Sequence, residues 1–247
     1  MLKRLMIFAS KVLSFGLFDT ILKHARGDVL DVGGRTFYSE FRARYPDIRY
    51  ASWTTIDPDI SILPPPEATP EYRLVHGDGC NMTFADNSFD TVLNIQVLEH
   101  VFDGLAMVRE VSRVLKPGGY AIFLIPQTAP AHGIPDAFFC NFSRYWVRKA
   151  MAAARLNIIE ERAQGGVWRS LAYRHFYFFL NAFKVPEYFD PENHRNILFY
   201  LFFPFMAVYS SLSIVICMLF SLGDLKEEPN NHLVLVRKDS GDDGCEQ

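Results

Sequence analysis

The chain has 247 residues, enough for one large α/β domain or a domain with an appendage. A net charge of −3 supplies no electrostatic footprint for a nucleic-acid backbone, so no nucleic-acid partner is expected. The four cysteines (Cys80, Cys140, Cys217, Cys245) are scattered, without a CxxC pair or a histidine cluster at ligand spacing; this argues against a disulfide framework or a metal site and for a reducing compartment.

Residues 1–26 form the first unit. Leu2, Met6, Leu13, Leu17 and Ile21 fall along one side at helical period, with Arg4, Lys11 and Asp19 away from it. A helix packed on the following domain and an interfacial helix with cationic flanks both fit. A cleaved signal fits less well, because Lys11 and Asp19 interrupt the apolar run. From Gly27 the pattern alternates. Val29–Val32 reads as a strand, Thr36–Arg44 as a helix, and Ala51–Ile56 as a second strand closed by Asp57-Pro58. A proline-rich loop, LPPPEATP, leads to strands at Tyr72–His76 and Phe89–Ile95. A helix over Asp103–Leu115, the breaker KPGG, a strand at Tyr120–Ile125 and a helix over Ser143–Leu156, capped by Ser143, follow. Such alternation predicts an open, mostly parallel sheet, with its ligand beyond the carboxyl ends of the strands.

The stretch VLDVGGRTFY, residues 29–38, has a glycine turn with an acid in it. A dinucleotide's pyrophosphate needs amide N–H groups, a helix dipole and no nearby anion. Asp31 would repel it, and GxGxxG is missing, which disfavours a nicotinamide oxidoreductase. S-adenosylmethionine carries a sulfonium and an ammonium but no phosphate. Asp31 can serve that cationic end, while Gly33 and Gly34 let the backbone come close. Asp57, ending the second strand, can accept both ribose hydroxyls; the alternative is an Asp-Pro turn cap. Asp78, in HGDGC, can accept the adenine amino proton with the Gly79 and Cys80 backbone beside the ring; the alternative is an ordinary Asp-Gly turn. Their joint occurrence at successive strand ends favours the cofactor.

GDGCNMTFADNSFDTVLNIQVLEHV, followed by VREVSRVLKPGGYAIFLIP, resembles class I S-adenosylmethionine-dependent methyltransferases, in particular the small-molecule group of ubiquinone and menaquinone type. The resemblance covers roughly residues 27–167. It implies a Rossmann-like α/β sheet of seven mostly parallel strands with the last antiparallel, supplied by NHLVLVRK at 231–238. It places Asp31, Gly33 and Gly34 at the methionine side, Asp57 at the ribose and Asp78 at the adenine. Asn94 and Gln96 would line the cleft floor near the methyl. Arg35 departs from the family pattern, since a further glycine is usual there; it would either clash with the methionine moiety or pair with its carboxylate, a task that suits a bidentate arginine. That departure keeps open an inactive, membrane-associated scaffold as the alternative. By family position His100 stands near the cleft, either as a base or capping the next helix with Glu99. His132 lies on a loop over the acceptor, and Phe142, Tyr145 and Trp146 shape the acceptor pocket or pack the core.

The tail exceeds a minimal methyltransferase. Residues 168–230 read as an apolar helical insertion and 239–247 as a disordered end. Within the insertion, the uncharged run 197–223 exceeds the ~20 residues that cross a bilayer. Upstream, aromatics interleave with Arg169, Arg174, His175 and Lys184, a mixture suited to a membrane interface. A single crossing would put 231–238 on the far side from its sheet and leave an unpaired edge. The expectation is therefore a break at Pro204 and Ser210-Ser211 into an interfacial or re-entrant pair, both ends on the cytoplasmic face. A hairpin packed on the domain is the alternative. The expected acceptor is a small apolar or lipid-linked molecule; its accepting atom and the oligomeric state are not specified by the sequence.

Overall fold

The computed structural model describes residues 16–34, 36–60, 71–128, 132, 136–139, 141–185 and 194–240. Seven strands form one sheet: β1 (Asp28–Val32), β2 (Ser52–Asp57), β3 (Tyr72–His76), β4 (Phe89–Ile95), β5 (Leu115–Pro126), β6 (Leu156–Gln164) and β7 (Asn231–Lys238). Their order is β3-β2-β1-β4-β5-β7-β6. Neighbours from β3 to β5 are parallel, and β7 is antiparallel to both β5 and β6. The expected sheet is thus present, last strand included. The chain runs outward from β1 to β3 and then returns to β4 on the other side of β1. That reversal opens a crevice at the carboxyl ends of β1 and β4, where open α/β sheets bind ligands.

Alternation along the strands feeds two apolar layers. Leu30, Val32, Val92, Phe123 and Ile125 face α3 (Gly104–Val114) and α4 (Arg144–Ala153), which bury Met107, Val108, Val111, Val147 and Met151. Val29, Trp53, Leu93, Ile122 and Leu235 face α1 (Leu17–His24) and α2 (Phe37–Arg44), which bury Leu17, Ile21, Tyr38 and Phe41. Residues 17–24 of the N-terminal unit therefore pack on the domain, with Phe18 stacked on Phe37 and Phe41; residues 1–15 lie outside the described part. The helix starts are encoded locally: Asp103 accepts from the Ala106 amide and Ser143 from that of Trp146.

Two boundaries differ from the sequence reading. KPGG does not precede its strand but lies inside β5, at an irregularity where pairing jumps from Phe89–Leu115 to Thr91–Tyr120. Gly118 there takes φ +74°, so the proline and glycines that break a helix make a bulge in a strand. The helix expected to reach Leu156 ends at Ala153, because Leu156 begins β6, a strand the sequence did not locate.

The insertion is a helical hairpin. α5 (Val167–Ala182) and α6 (Ile197–Phe220) run antiparallel: Trp168 meets Phe220, His175 meets Tyr209 and Ser210, and Phe178 and Phe183 meet Phe203. The predicted break at Pro204 and Ser210-Ser211 does not occur. α6 is one helix through Pro204, and the second member of the pair is α5. The aromatic contacts of Phe199 and Phe203 beside the proline oppose the ~3 kcal/mol that an interior proline costs. At the base, Asp224 accepts from the amides of Trp168 and Arg169, capping an α5 whose own N-cap is Gly166.

Candidate active site

A cavity of about 690 Å³ opens at the crevice, within the usual range for small-molecule sites. Gly33, Gly34, Asp57, Asp78, Gly79, Cys80, Gln96, His100 and His132 all line it, together with Val97, Phe102 and Met107. The fold therefore brings together most of the residues singled out from sequence.

The glycine turn is required by its surroundings. Gly33 has φ +68°, and a Cβ on it would lie 2.9 Å from both methyls of Val97. A Cβ on Gly34 would lie 2.0 Å from an Asp31 carboxylate oxygen. Asp31 consequently sits beneath the turn rather than on the cavity wall, and it is buried. Burial pushes its carboxyl up to about 7; the Trp53 indole eases the shift and the Asp57 charge adds to it. Neither oxygen has a well-formed hydrogen bond among the described residues. Arg35 lies outside the described residues.

Asp57 and Asp78 each combine the two roles that the sequence left open. Asp57 Oδ1 accepts from the Asp59 amide and Asp78 Oδ1 from the Cys80 amide, so both cap their own turns while lining the cavity. A carboxylate has two oxygens, and one capping bond does not use it up. Burial pushes the Cys80 thiol up to about 11, with Asp78 and Asp103 adding, so it is a neutral thiol at pH 7 rather than a nucleophile. Asn94 is fully buried and donates to Met107 Sδ; it backs the wall instead of lining it. Gln96 does line it, at φ +56° and tied to Asn231 on β7.

After β4, a 3-10 turn (Leu98–His100) brings His100 to the cavity wall. Glu99 is buried there, and burial alone pushes its carboxyl up to about 7. The rings of His100 and His132 stand edge to face at 4.8 Å. Sequence reasoning treated Glu99 only as a cap, since Glu99 and His132, 33 residues apart in the chain, gave no signal of meeting. Phe142 and Trp146 line a neighbouring hollow with Phe102 and Asp103, while Tyr145 is exposed and lines neither cavity.

The fit to an adenosyl cofactor rests on two features: a turn whose positions 33 and 34 leave no room for a Cβ, and two acids, Asp57 ending β2 and Asp78 just beyond β3, that both line the cavity. Residues 43–123 match the methyltransferase domain family. Over this segment, about a third of its length, the chain resembles methyltransferase domains. The matched segment holds Asp57, Asp78 and His100 but begins after the glycine turn.

Among relatives, a demethylmenaquinone methyltransferase of Staphylococcus saprophyticus is 50% identical over 52 residues, 21% of this chain and 22% of that protein. A fatty-acid O-methyltransferase of Mycolicibacterium smegmatis is 37% identical over 92 residues, 37% and 29% of the two chains. The matches thus span less than a third of these relatives' length. A phosphoethanolamine N-methyltransferase of Haemonchus contortus, solved with S-adenosyl-L-methionine, superposes with TM-score 0.53 at 14% identity, over 86% of this chain and 49% of that one. The [4+2]-cyclase SpnF superposes with TM-score 0.56 at 17% identity, over 90% and 80%. Such likenesses show the fold, which hosts more than one chemistry.

Proposed function

We propose that the methyltransferase domain passes a methyl group from S-adenosylmethionine to a small apolar or lipid-linked acceptor, working at the cytoplasmic surface of a membrane. Bound there, the cofactor supplies a methyl already activated on a sulfonium. The protein's contribution is then mainly alignment and exclusion of water. Asp57 takes the ribose hydroxyls, Asp78 the adenine amino group, and Gly33 and Gly34 admit the methionine end. Where the acceptor must lose a proton, Glu99, His100 and His132 stand at that end of the cavity.

The observation that carries the acceptor class is the place of the hairpin. β6 ends at Gln164 and β7 begins at Asn231, directly opposite it in register. Both feet of the hairpin therefore leave from the carboxyl edge of the parallel strands, the edge that holds the cavity. His132 in the cavity lies 6.4 Å, ring to ring, from Tyr177 of α5. α6 carries a stripe of Leu201, Phe205, Val208, Leu212, Val215 and Leu219, each 59–74% exposed. At 1.5 Å per residue its 24 residues extend about 36 Å. Because β7 completes the sheet beyond α6, both feet lie on one side of any membrane the hairpin touches, which supports a monotopic attachment. Two relatives named for menaquinone and fatty-acid methylation agree with an apolar acceptor.

Labelled methyl transfer to a membrane lipid extract, run beside soluble protein and RNA fractions, tests the proposal. Label in the lipid fraction is expected. Label confined to protein or RNA would overturn the acceptor class.

A further inference from the structure

The geometry points to a divalent transition-metal site formed by Glu99, His100 and His132 at the acceptor end of the cavity. One ligand atom from each of these three residues lies within 4.8 Å of the others, and Glu99 Oε1 is 4.0 Å from His132 Nε2. Ligands about a tetrahedral or octahedral ion with bonds near 2 Å stand roughly 3 Å apart, so a small side-chain movement closes the set.

Two independent features indicate a cation. The Glu99 side chain is 2% exposed, yet neither carboxylate oxygen is hydrogen-bonded to another described residue. A buried carboxylate in that condition lacks the partner that buried charges ordinarily require. The second feature is the support behind His100. Its Nδ1 lies 2.9 Å from the Asp136 carbonyl oxygen, a bond that can only be made by N–H donation and so puts the lone pair on Nε2. Ligating histidines characteristically donate their other nitrogen in this way. The Glu99 carbonyl in turn accepts from the amides of Phe138 and Phe139, which holds the 136–139 segment against the turn.

Two imidazoles and one carboxylate suit Zn²⁺, Mn²⁺, Fe²⁺ or Co²⁺, whereas Ca²⁺ and Mg²⁺ favour all-oxygen sets. Three protein ligands leave positions open towards the cavity that His100 and His132 line. An acceptor oxygen bound there would lose its proton to solvent more readily. Its lone pair would then form the O–CH₃ bond as the S–CH₃ pair returns to sulfur. The site thus deepens the methyltransferase reading, on which this role rests, by favouring a hydroxyl, phenol or carboxylate acceptor over a carbon.

The test uses the full chain, stripped with chelator and titrated with Co²⁺ by absorption and with Zn²⁺ by calorimetry. One equivalent should bind, with Co²⁺ d–d bands, and Glu99→Gln and His132→Ala should each weaken it at least tenfold. Thermal melts and S-adenosylhomocysteine titration establish that both variants are folded. Glu99→Gln keeps the side chain's shape, so it serves if His132→Ala does not fold. Absence of a one-equivalent site, or binding unchanged in the folded variants, overturns the proposal. Metal bound without S-adenosylhomocysteine binding would refute the methyltransferase reading while leaving the metal site standing.

Discussion

Replacing Asp31 by Asn isolates the cost of burying an acid beneath the glycine turn. Its carboxyl is held at about 7 in the folded protein against an ordinary 3.8. Because the folded state binds the proton more tightly, the fold gains from protonation, and stability falls as pH rises from about 4 through about 7. Raising a carboxyl from 3.8 to about 7 corresponds to about 4 kcal/mol, of which about 3 kcal/mol develops between pH 4.5 and 8.5. The Asn variant has no such titration. Its amide has its own unmet hydrogen bonds, a pH-independent penalty of about 1–3 kcal/mol, so the informative quantity is the slope and not the offset. Urea unfolding of both proteins across that range should show the parent losing about 3 kcal/mol relative to the variant. In melting temperature this is roughly 6–12 °C for a domain of this size. Glu99 titrates in both proteins and cancels. Parallel pH profiles would show that Asp31 is ionised at no cost in the fold, and the reasoning about its burial would be wrong.

Three further outcomes follow from the geometry. Asp57→Ala should weaken S-adenosylhomocysteine binding by about 10–150-fold, the equivalent of roughly 1.5–3 kcal/mol for a charged hydrogen-bond acceptor, as read by calorimetry. Gly33→Ala places a Cβ at φ +68° and 2.9 Å from the Val97 methyls, so it should lose about 1–3 kcal/mol in denaturant unfolding and weaken S-adenosylhomocysteine binding at the same time. Leu212→Asp with Val215→Asp on the exposed stripe of α6 should reduce co-flotation with phosphatidylglycerol vesicles by tenfold or more, since an aspartate in an apolar membrane layer costs about 2–3 kcal/mol. Their S-adenosylhomocysteine affinity should stay at the parent value, and unchanged flotation would remove the membrane from the proposal.

What was legible in the sequence was whatever is encoded over short range. The strands β1 to β3 announce themselves by apolar residues followed by an acid or a glycine, β4 by its apolar run alone, and Asp103 and Ser143 mark helix starts through their own side-chain bonds. The acids of the site were visible for the same reason: Asp57 closes β2 and Asp78 lies in the turn just beyond β3, and a strand end in this fold is a cavity wall. β6 was missed because Asn157, Glu160, Glu161 and Arg162 interrupt its apolar pattern. Its pairing partner β7 arrives only after the whole insertion, so the pairing that defines β6 is remote in sequence. The helix pair was placed wrongly on related grounds. Pro204 and Ser210-Ser211 are local breaking signals, but Phe203 contacts Phe178 of α5 and Phe183 at its C-cap, and Ser210 meets His175, so tertiary packing on either side of the proline carries the helix through. Glu99 is the most instructive case. In sequence it is one acid beside one histidine at a turn, with capping as its natural role. Only the loop that follows β5 brings His132 back over it, and a carboxylate buried without a hydrogen-bonded partner among the described residues then becomes a question about which cation belongs there.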